Sequence, residues 1–249
     1  MAPSVALSYN SRGGNGVMGM GWSLSAGSSI HRCPMTVAQD GKTIGVQYNE
    51  NDRLCLDGQR LIRINAGDYW ASGGEYRTEI DSYARITLVG DGAAALNALG
   101  NNISFRIEGK DNLLRVYGAI AEAKIHPAAV SGSSLPQVTS SWLLNLEQDP
   151  AENRVDYRYQ SHAAGEVLLD RILYTGFATT PGNRVVQFEY DDRTAGLDGN
   201  DQVTLRDHAE SWQAGYLTRQ TKKLKWVRTC IDTNPVSYTH LTLPTIAGV

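Results

Sequence analysis

The segment NRVDYRYQ, residues 153–160, sets Val155, Tyr157 and Tyr159 on one side of an extended chain and Arg154, Asp156 and Arg158 on the other. Successive side chains of a strand point to opposite faces, so this alternation describes a strand with one dry face and one wet face. NRVVQFEYDD (183–192) repeats it, with Val186, Phe188 and Tyr190 set against Val185, Gln187 and Glu189. Over 224–230 the same reading puts Leu224, Trp226 and Arg228 on one face. No stretch of helical length carries a sustained i, i+3, i+4, i+7 apolar stripe. A chain patterned this way is all-β, built of many short antiparallel strands and hairpins.

The first half carries the same message through its turns. Strands are expected at Ser4 to Tyr9, Trp22 to Leu24 and Ser29 to Arg32, and at Thr43 to Tyr48 after a turn at Asp40-Gly41. DRLCLDGQRLIRI (52–64) reads as two strands joined by Asp57-Gly58, a strong hairpin signal. ARITLV and ISFRIEG flank GDGAAALNALGNN (90–102), expected as a short helix or a loop insertion. Glycine, at 25 residues against 8 prolines, suits a chain of many tight turns.

Composition narrows the partners. Net charge is −3 and the densest basic run is Lys222, Lys223 and Lys225, so neither nucleic acid nor an anionic membrane is expected. No apolar run is long enough to span a bilayer, and the N-terminus has no basic start followed by an apolar core. Cys33, Cys55 and Cys230 are odd in number and widely spaced, which argues against a disulfide framework or a zinc site and for buried small side chains. In the tail, VSYTHLTLPT (236–245) resembles the translated read-through of a transposon adapter used in library preparation. Residues 236–249 are therefore expected to lie outside the fold, with a genuine strand-forming tail as the rival reading.

The stretch LSYNSRGGNGVMGMGWSLSAGSSIHR (7–32) concentrates glycine between two strands. A phosphate loop would need a lysine after the glycines and a following helix, and neither is present. Gly14-x-Gly16-x-x-Gly19 matches a dinucleotide fingerprint in letters only, because the helix whose N-terminus meets the pyrophosphate is missing. A structural corner fits better. Asn10 and Asn15 can form side-chain-closed turns, glycine supplies positive φ, and Val17, Met18, Met20 and Trp22 return apolar groups to a core.

That stretch closely resembles the N-terminal signature of SpvB-type domains, found in Salmonella plasmid virulence proteins, in the B components of insecticidal toxin complexes and in related Rhs-repeat proteins. The resemblance continues through CPMTVAQDG, DRLCLDGQRLI and YRTEIDSYARI and covers residues 3–235. It marks Tyr9, Asn10, Ser11, Gly14, Asn15, Gly16, Gly19, Gly21, Trp22, Asp57 and Gly58 as signature positions with a structural role. It implies a β-rich scaffold or shell that encloses or delivers a toxin, over residues 1–235 of a longer protein. The expected partners are the remainder of the same polypeptide and other toxin-complex subunits, and the expected location is extracellular after export from the bacterial cytoplasm. ADP-ribosyl transfer, which such proteins carry in a separate C-terminal domain, is not expected here, since the chain has no E-x-E triplet.

No residue stands out as catalytic, and neither cofactor nor metal is expected. His31, His126, His162 and His208 lack ligand spacing, and His31-Arg32-Cys33 has no second ligand pair beside it in sequence. Asp191, Asp192, Asp198 and Asp201 hold the ingredients of a calcium loop at the wrong spacing. Tyr157, Tyr159, Tyr174, Phe188, Tyr190 and Trp226 could stack on sugars, but their alternation makes them sheet-packing residues first. The alternatives to a delivery scaffold are a stand-alone carbohydrate- or protein-binding β module and an enzyme with a cryptic site.

Overall fold

A computed structural model describes residues 1–90, 100–193, 196–197, 203–204, 209–231 and 240–242. The architecture is all-β, with an eight-stranded antiparallel barrel at its centre. In the N-terminal ribbon, β1 (Ala6–Tyr9) pairs with β4 (Trp22–Ser25), and the loop between them doubles back through β2 (Asn15–Gly16) and β3 (Gly19–Met20). The barrel then runs through β5 (Ser29–Cys33), β6 (Arg53–Leu56), β7 (Gln59–Arg63), β8 (Glu75–Thr78), β9 (Arg85–Gly90), β10 (Ile103–Glu108) and β11 (Leu114–Tyr117). It closes through β14 (Ser141–Gln148), whose first half pairs with β5 and whose second half pairs with β11.

Eight strands leave an interior that side chains alone can fill. Ile30, Leu54, Leu61, Tyr76, Ile86, Leu88, Phe105, Tyr117 and Trp142 fill it, and all are buried. Trp142 lies edge-on to Phe105 at 5.2 Å between ring centroids, and its indole N–H donates to the Gly100 carbonyl at 3.1 Å. Gly100 and Gly118, both at positive φ, flank the indole so closely that a β-carbon at either would intrude on it.

At β14 the sheet forks. β15 (Asn153–Ala163) pairs with the second half of β14 and leads into β16 (Glu166–Phe177), β17 (Arg184–Asp192) and β22 (Lys222–Ile231), a long antiparallel wall beside the barrel. Smaller pairs complete the set: β12 (Lys124–Ile125) on β14, β13 (Ala128–Ala129) on the hairpin of β20 (Ala209–Gln213) and β21 (Tyr216–Gln220), and β18 (Gly196–Leu197) with β19 (Val203–Thr204). β23 (His240–Thr242), inside the segment expected to be foreign, pairs with Trp226–Arg228. An unpaired edge accepts any β-prone segment within reach.

Several expectations are met, and others are corrected. Val155 and Tyr157 are buried with Tyr159 packed beside them, and Val186 and Phe188 are buried on the next strand but one. Leu224, Trp226 and Arg228 do not share a face. A bulge opposite Glu189 and Tyr190 shifts the register, so Leu224 and Val227 turn to the core while Trp226 and Arg228 face the other way. Thr43 to Tyr48 forms no strand: Ile44 makes a single bridge to Met35, and Val46 and Tyr48 sink into a small cluster with Val138 and Tyr216. The Asp40-Gly41 turn is the end of a one-turn helix, α1 (Val37–Asp40), with Gly41 at φ 69°. Cys33 and Cys55 are joined in a disulfide across β5 and β6, their Cα atoms 5.9 Å apart, while Cys230 is buried and free. Counting cysteines could not reveal this, because antiparallel pairing brings together residues 22 apart in sequence. The core of the expected insertion (91–99), Asp198 and Asp201 of the candidate calcium loop, and His208 lie outside the described residues.

Candidate functional site

Arg32, Trp70 and Trp142 close one end of the barrel. Arg32 points inward on β5, with its side chain 1% exposed and ion-paired to Asp52 at 2.9 Å. Its Nε donates to the Thr139 carbonyl at 2.8 Å, and its guanidinium lies 4.8 Å from the Trp70 ring centroid. Burial lowers the Arg32 pKa, and Asp52 works against that shift. The Nη2 atom of this guanidinium has no hydrogen-bond partner among the described residues.

The opposite end is open. Ala26, Gly27, Ser28, Ser82 and Ala84 sit at its rim, and their small side chains leave a cavity of about 430 Å³. Mouths of β-barrels are a recurrent place for ligands. Two short networks line this one. In the first, Ser28 Oγ donates to Asp57 Oδ2 at 2.5 Å, the Ser29 N–H donates to Asp57 Oδ1 at 2.8 Å, and the Tyr117 hydroxyl stands 2.9 Å from Ser28 Oγ. In the second, Glu147 accepts from the Tyr157 hydroxyl at 2.8 Å and from Arg115 Nε at 2.9 Å, and Arg115 also holds Asp111 at 2.6 Å.

Burial pushes the Tyr117 phenol up to about 12 and raises that of Tyr157, so both keep their protons at neutral pH. The hydrogen bond from Arg115 holds the Asp111 carboxyl below the usual carboxylate range. The mouth thus offers hydroxyl donors, carboxylate acceptors and one guanidinium, each held by a neighbour. Such groups orient a polar ligand by hydrogen bonding.

The signature positions divide between two places. Asp57 and Gly58, at φ 46° and 83°, form the two-residue turn of the β6–β7 hairpin, and Asp57 reaches into the mouth. The glycine-rich stretch lies elsewhere, against the wall. Leu224 N–H donates to the Val17 carbonyl at 2.7 Å, and the buried Arg193 guanidinium donates to the Gly16 carbonyl. Asn10 Oδ1 accepts from the Arg12 N–H at 3.0 Å, and backbone bonds tie Asn10 to Gly21 and Gly21 to Gly14. Gly21, at φ 76°, lies where a β-carbon would come within 2.7 Å of the Tyr9 ring and 2.8 Å of the Asn10 carbonyl. Tyr9 and Trp22 pair across the ribbon at 5.2 Å. Val17 and Met18 pack on the core, but Met20 is 62% exposed, against the expectation that it turns inward.

Most mouth residues went unnoticed in the sequence. Ser28 comes from a loop, Arg115 and Tyr117 from β11 and Glu147 from β14, with no common motif; in the sequence only the Asp57-Gly58 turn and the alternating Tyr157 mark mouth residues. The cysteines bring a further unforeseen grouping, because His31 stands directly across from Cys55 and two residues from Cys33 on one face.

The fold and its mouth define a class: a closed eight-stranded antiparallel barrel that shares one strand with a long sheet, against which a glycine-rich ribbon packs. Residues 1–213 match the family described as Salmonella virulence plasmid 65kDa B protein, and the chain belongs to that family. It is 27% identical over 190 residues to the mono(ADP-ribosyl)transferase SpvB of Salmonella choleraesuis strain SC-B67, covering 68% of this chain and 29% of that protein. The Salmonella dublin protein of the same name is equally identical, with 28% of its length covered. The chain thus spans less than a third of the curated relatives it matches. Among solved structures, it is similar to the N-terminal domain of effector protein SpvB from Salmonella typhimurium strain LT2. That likeness has a TM-score of 0.66 at 20% identity, covering 92% of this chain and 82% of that one. It is also similar to TcdB2-TccC3, with a TM-score of 0.70 at 17% identity over 96% of this chain and 13% of that one.

Proposed function

We propose that residues 1–235 are a non-catalytic scaffold segment of a longer bacterial toxin polypeptide, one that helps enclose or deliver a toxic part encoded beyond it. The observation that carries this reading is the match of residues 1–213 to the virulence-protein family, in relatives of which the chain covers under a third. The likeness to the N-terminal domain of one such effector, and to a small part of the much longer TcdB2-TccC3 chain, supports it. The wall from β15 to β22 suits a shell, because its alternating faces let one side pack while the other stays wet. ADP-ribosyl transfer, named for the relatives, belongs in this reading to the part of those proteins that this chain does not cover. Export fits the Cys33–Cys55 disulfide, since such bonds persist in oxidising surroundings. Residues 236–249 are read as foreign to the gene.

The test is to sequence the source gene across the codon for Pro235. A frame that runs on into further β-rich sequence and a C-terminal toxin domain is the expected result. A stop close to that codon removes the shell and leaves the second reading, a stand-alone binding module, which the cavity of about 430 Å³ with its hydrogen-bonding groups favours. Screening the chain against a glycan panel then tests that module directly.

A further inference from the structure

Ile30 and Arg32 point into the barrel, so His31 and Cys33 point outward from the same strand. His31 pairs in register with Cys55 on β6, which places Cys33, Cys55 and His31 on one patch of the outer wall. Their sulfur and ring-nitrogen atoms all lie within 4.8 Å of one another; both cysteines are buried and His31 is half-buried. In the oxidised chain the two sulfurs are joined.

We propose that the reduced chain uses this patch as a zinc-class metal site, with Cys33 Sγ, Cys55 Sγ and a His31 ring nitrogen as three ligands and the fourth position open on the half-exposed His31 side. Disulfide and metal are then alternative states of one site. Tetrahedral zinc with Zn–S bonds near 2.3 Å sets two thiolates about 3.8 Å apart. Cα atoms 5.9 Å apart on adjacent strands can hold sulfurs at that separation by side-chain rotation alone. Thiolate and imidazole are the ligands that soft and borderline cations select over carboxylate-seeking magnesium or calcium.

Charge also balances. Two thiolates and a neutral imidazole neutralise a divalent cation, so no net charge is added to a buried patch. The neighbouring cations are already engaged: Arg53 and Arg60, which face Cys33 and Cys55 across the ladder, are held by Asp40 at 2.9 and 2.5 Å. Loading the site releases one proton from each thiol as the two Zn–S bonds form. Emptying it by oxidation removes two electrons from the paired thiolates and forms the S–S bond. A disulfide-class oxidant loses its own S–S bond, takes up those electrons and two protons from water to become a dithiol, and the metal ion leaves.

The experiment uses the whole chain in two states. Protein reduced with a phosphine, desalted anaerobically, and protein left oxidised are each titrated with zinc chloride against a chromophoric chelator. Cobalt(II) replaces zinc in a parallel series, to read thiolate-to-metal absorption. The reduced chain is expected to take one equivalent with thiolate-to-cobalt bands, and the oxidised chain none. Cys230→Ser should bind like the parent. His31→Ala should weaken binding by more than about tenfold, since even an outer-shell partner is worth that much, while still forming the Cys33–Cys55 bond on reoxidation. Absence of stoichiometric binding by the reduced chain, equal binding by both states, or parental affinity in His31→Ala overturns the proposal. The comparison of the two redox states needs no variant to fold.

Discussion

The two ends of the barrel share the same strands and differ in what those strands place at their tips. At the closed end, Trp70, Trp142 and the Arg32–Asp52 pair fill the interior and exclude water. At the open end, alanine, glycine and serine leave space, and the polar groups that face it answer one another. Strand number fixes the radius of a barrel, but residue size at the strand ends decides whether it is a plug or a cup. The closed end therefore carries stability and the open end carries room for a ligand.

That contrast makes the largest mutational effect fall at the plug. Trp142→Ala removes a fully buried indole together with its bond to the Gly100 carbonyl, and should cost about 3–5 kcal/mol in urea unfolding. A cost below about 1 kcal/mol would mean that the closed end is not a packed core. Asp52→Ala should come next, at roughly 3 kcal/mol, because it leaves the Arg32 charge buried without a partner. Adding Arg32→Met should restore much of that loss by removing the stranded charge. A double variant no more stable than Asp52→Ala would show that the ion pair acts through shape and not through charge.

Acid separates a buried carboxylate from a rim carboxylate. Burial works against the Asp40 charge, but the Thr36 N–H and the guanidinium groups of Arg60 and Arg53 outweigh it, and its pKa is lowered. Asp111 is lowered by Arg115, yet its side chain is 44% exposed and solvent screens the pair. A carboxyl whose folded pKa is depressed adds stability above its unfolded value, near 4, and gives it up as the pH falls toward the folded value. Stability should therefore hold above about pH 5 and decline below about pH 4. Asp40→Asn should flatten that decline more than Asp111→Asn, as read from urea midpoints at successive pH values. Equal flattening would place the acid sensitivity at the mouth as much as at the outer wall.

Alternation makes the wall legible: spacing alone puts Val155, Tyr157, Val186 and Phe188 on the dry face, and they are buried. It failed at Leu224 and Trp226, because a bulge adds one residue to a strand and exchanges its faces, and no residue type marks where that happens. The Asp57-Gly58 turn was legible because two successive positive-φ positions demand such residues. Barrel closure was not, since it depends on β11 meeting β14 across the intervening segment, and on β14 changing partners midway. The plug was hidden for a related reason. Arg32 is charged, so period-two reading gives it to solvent, whereas its register places it opposite Leu54 and among aromatic rings. His31, Cys33 and Cys55 likewise become neighbours only through strand register.

The smallest effect should come at the cup, from Asp57→Asn. Asparagine tolerates the left-handed backbone that this position holds at φ 46°, so the turn survives. Its amide oxygen still accepts from the Ser29 N–H, while the amide nitrogen now meets Ser28 Oγ, a hydroxyl that can turn and accept. One charge leaves the mouth and each hydrogen bond keeps a partner, so the cost should stay below about 1 kcal/mol in urea unfolding. A loss above about 2 kcal/mol would break the contrast, because the mouth would then behave as a coupled structural network like the plug. A small loss sharpens it: the carboxylate of Asp57 would be available for a ligand at little expense to the fold.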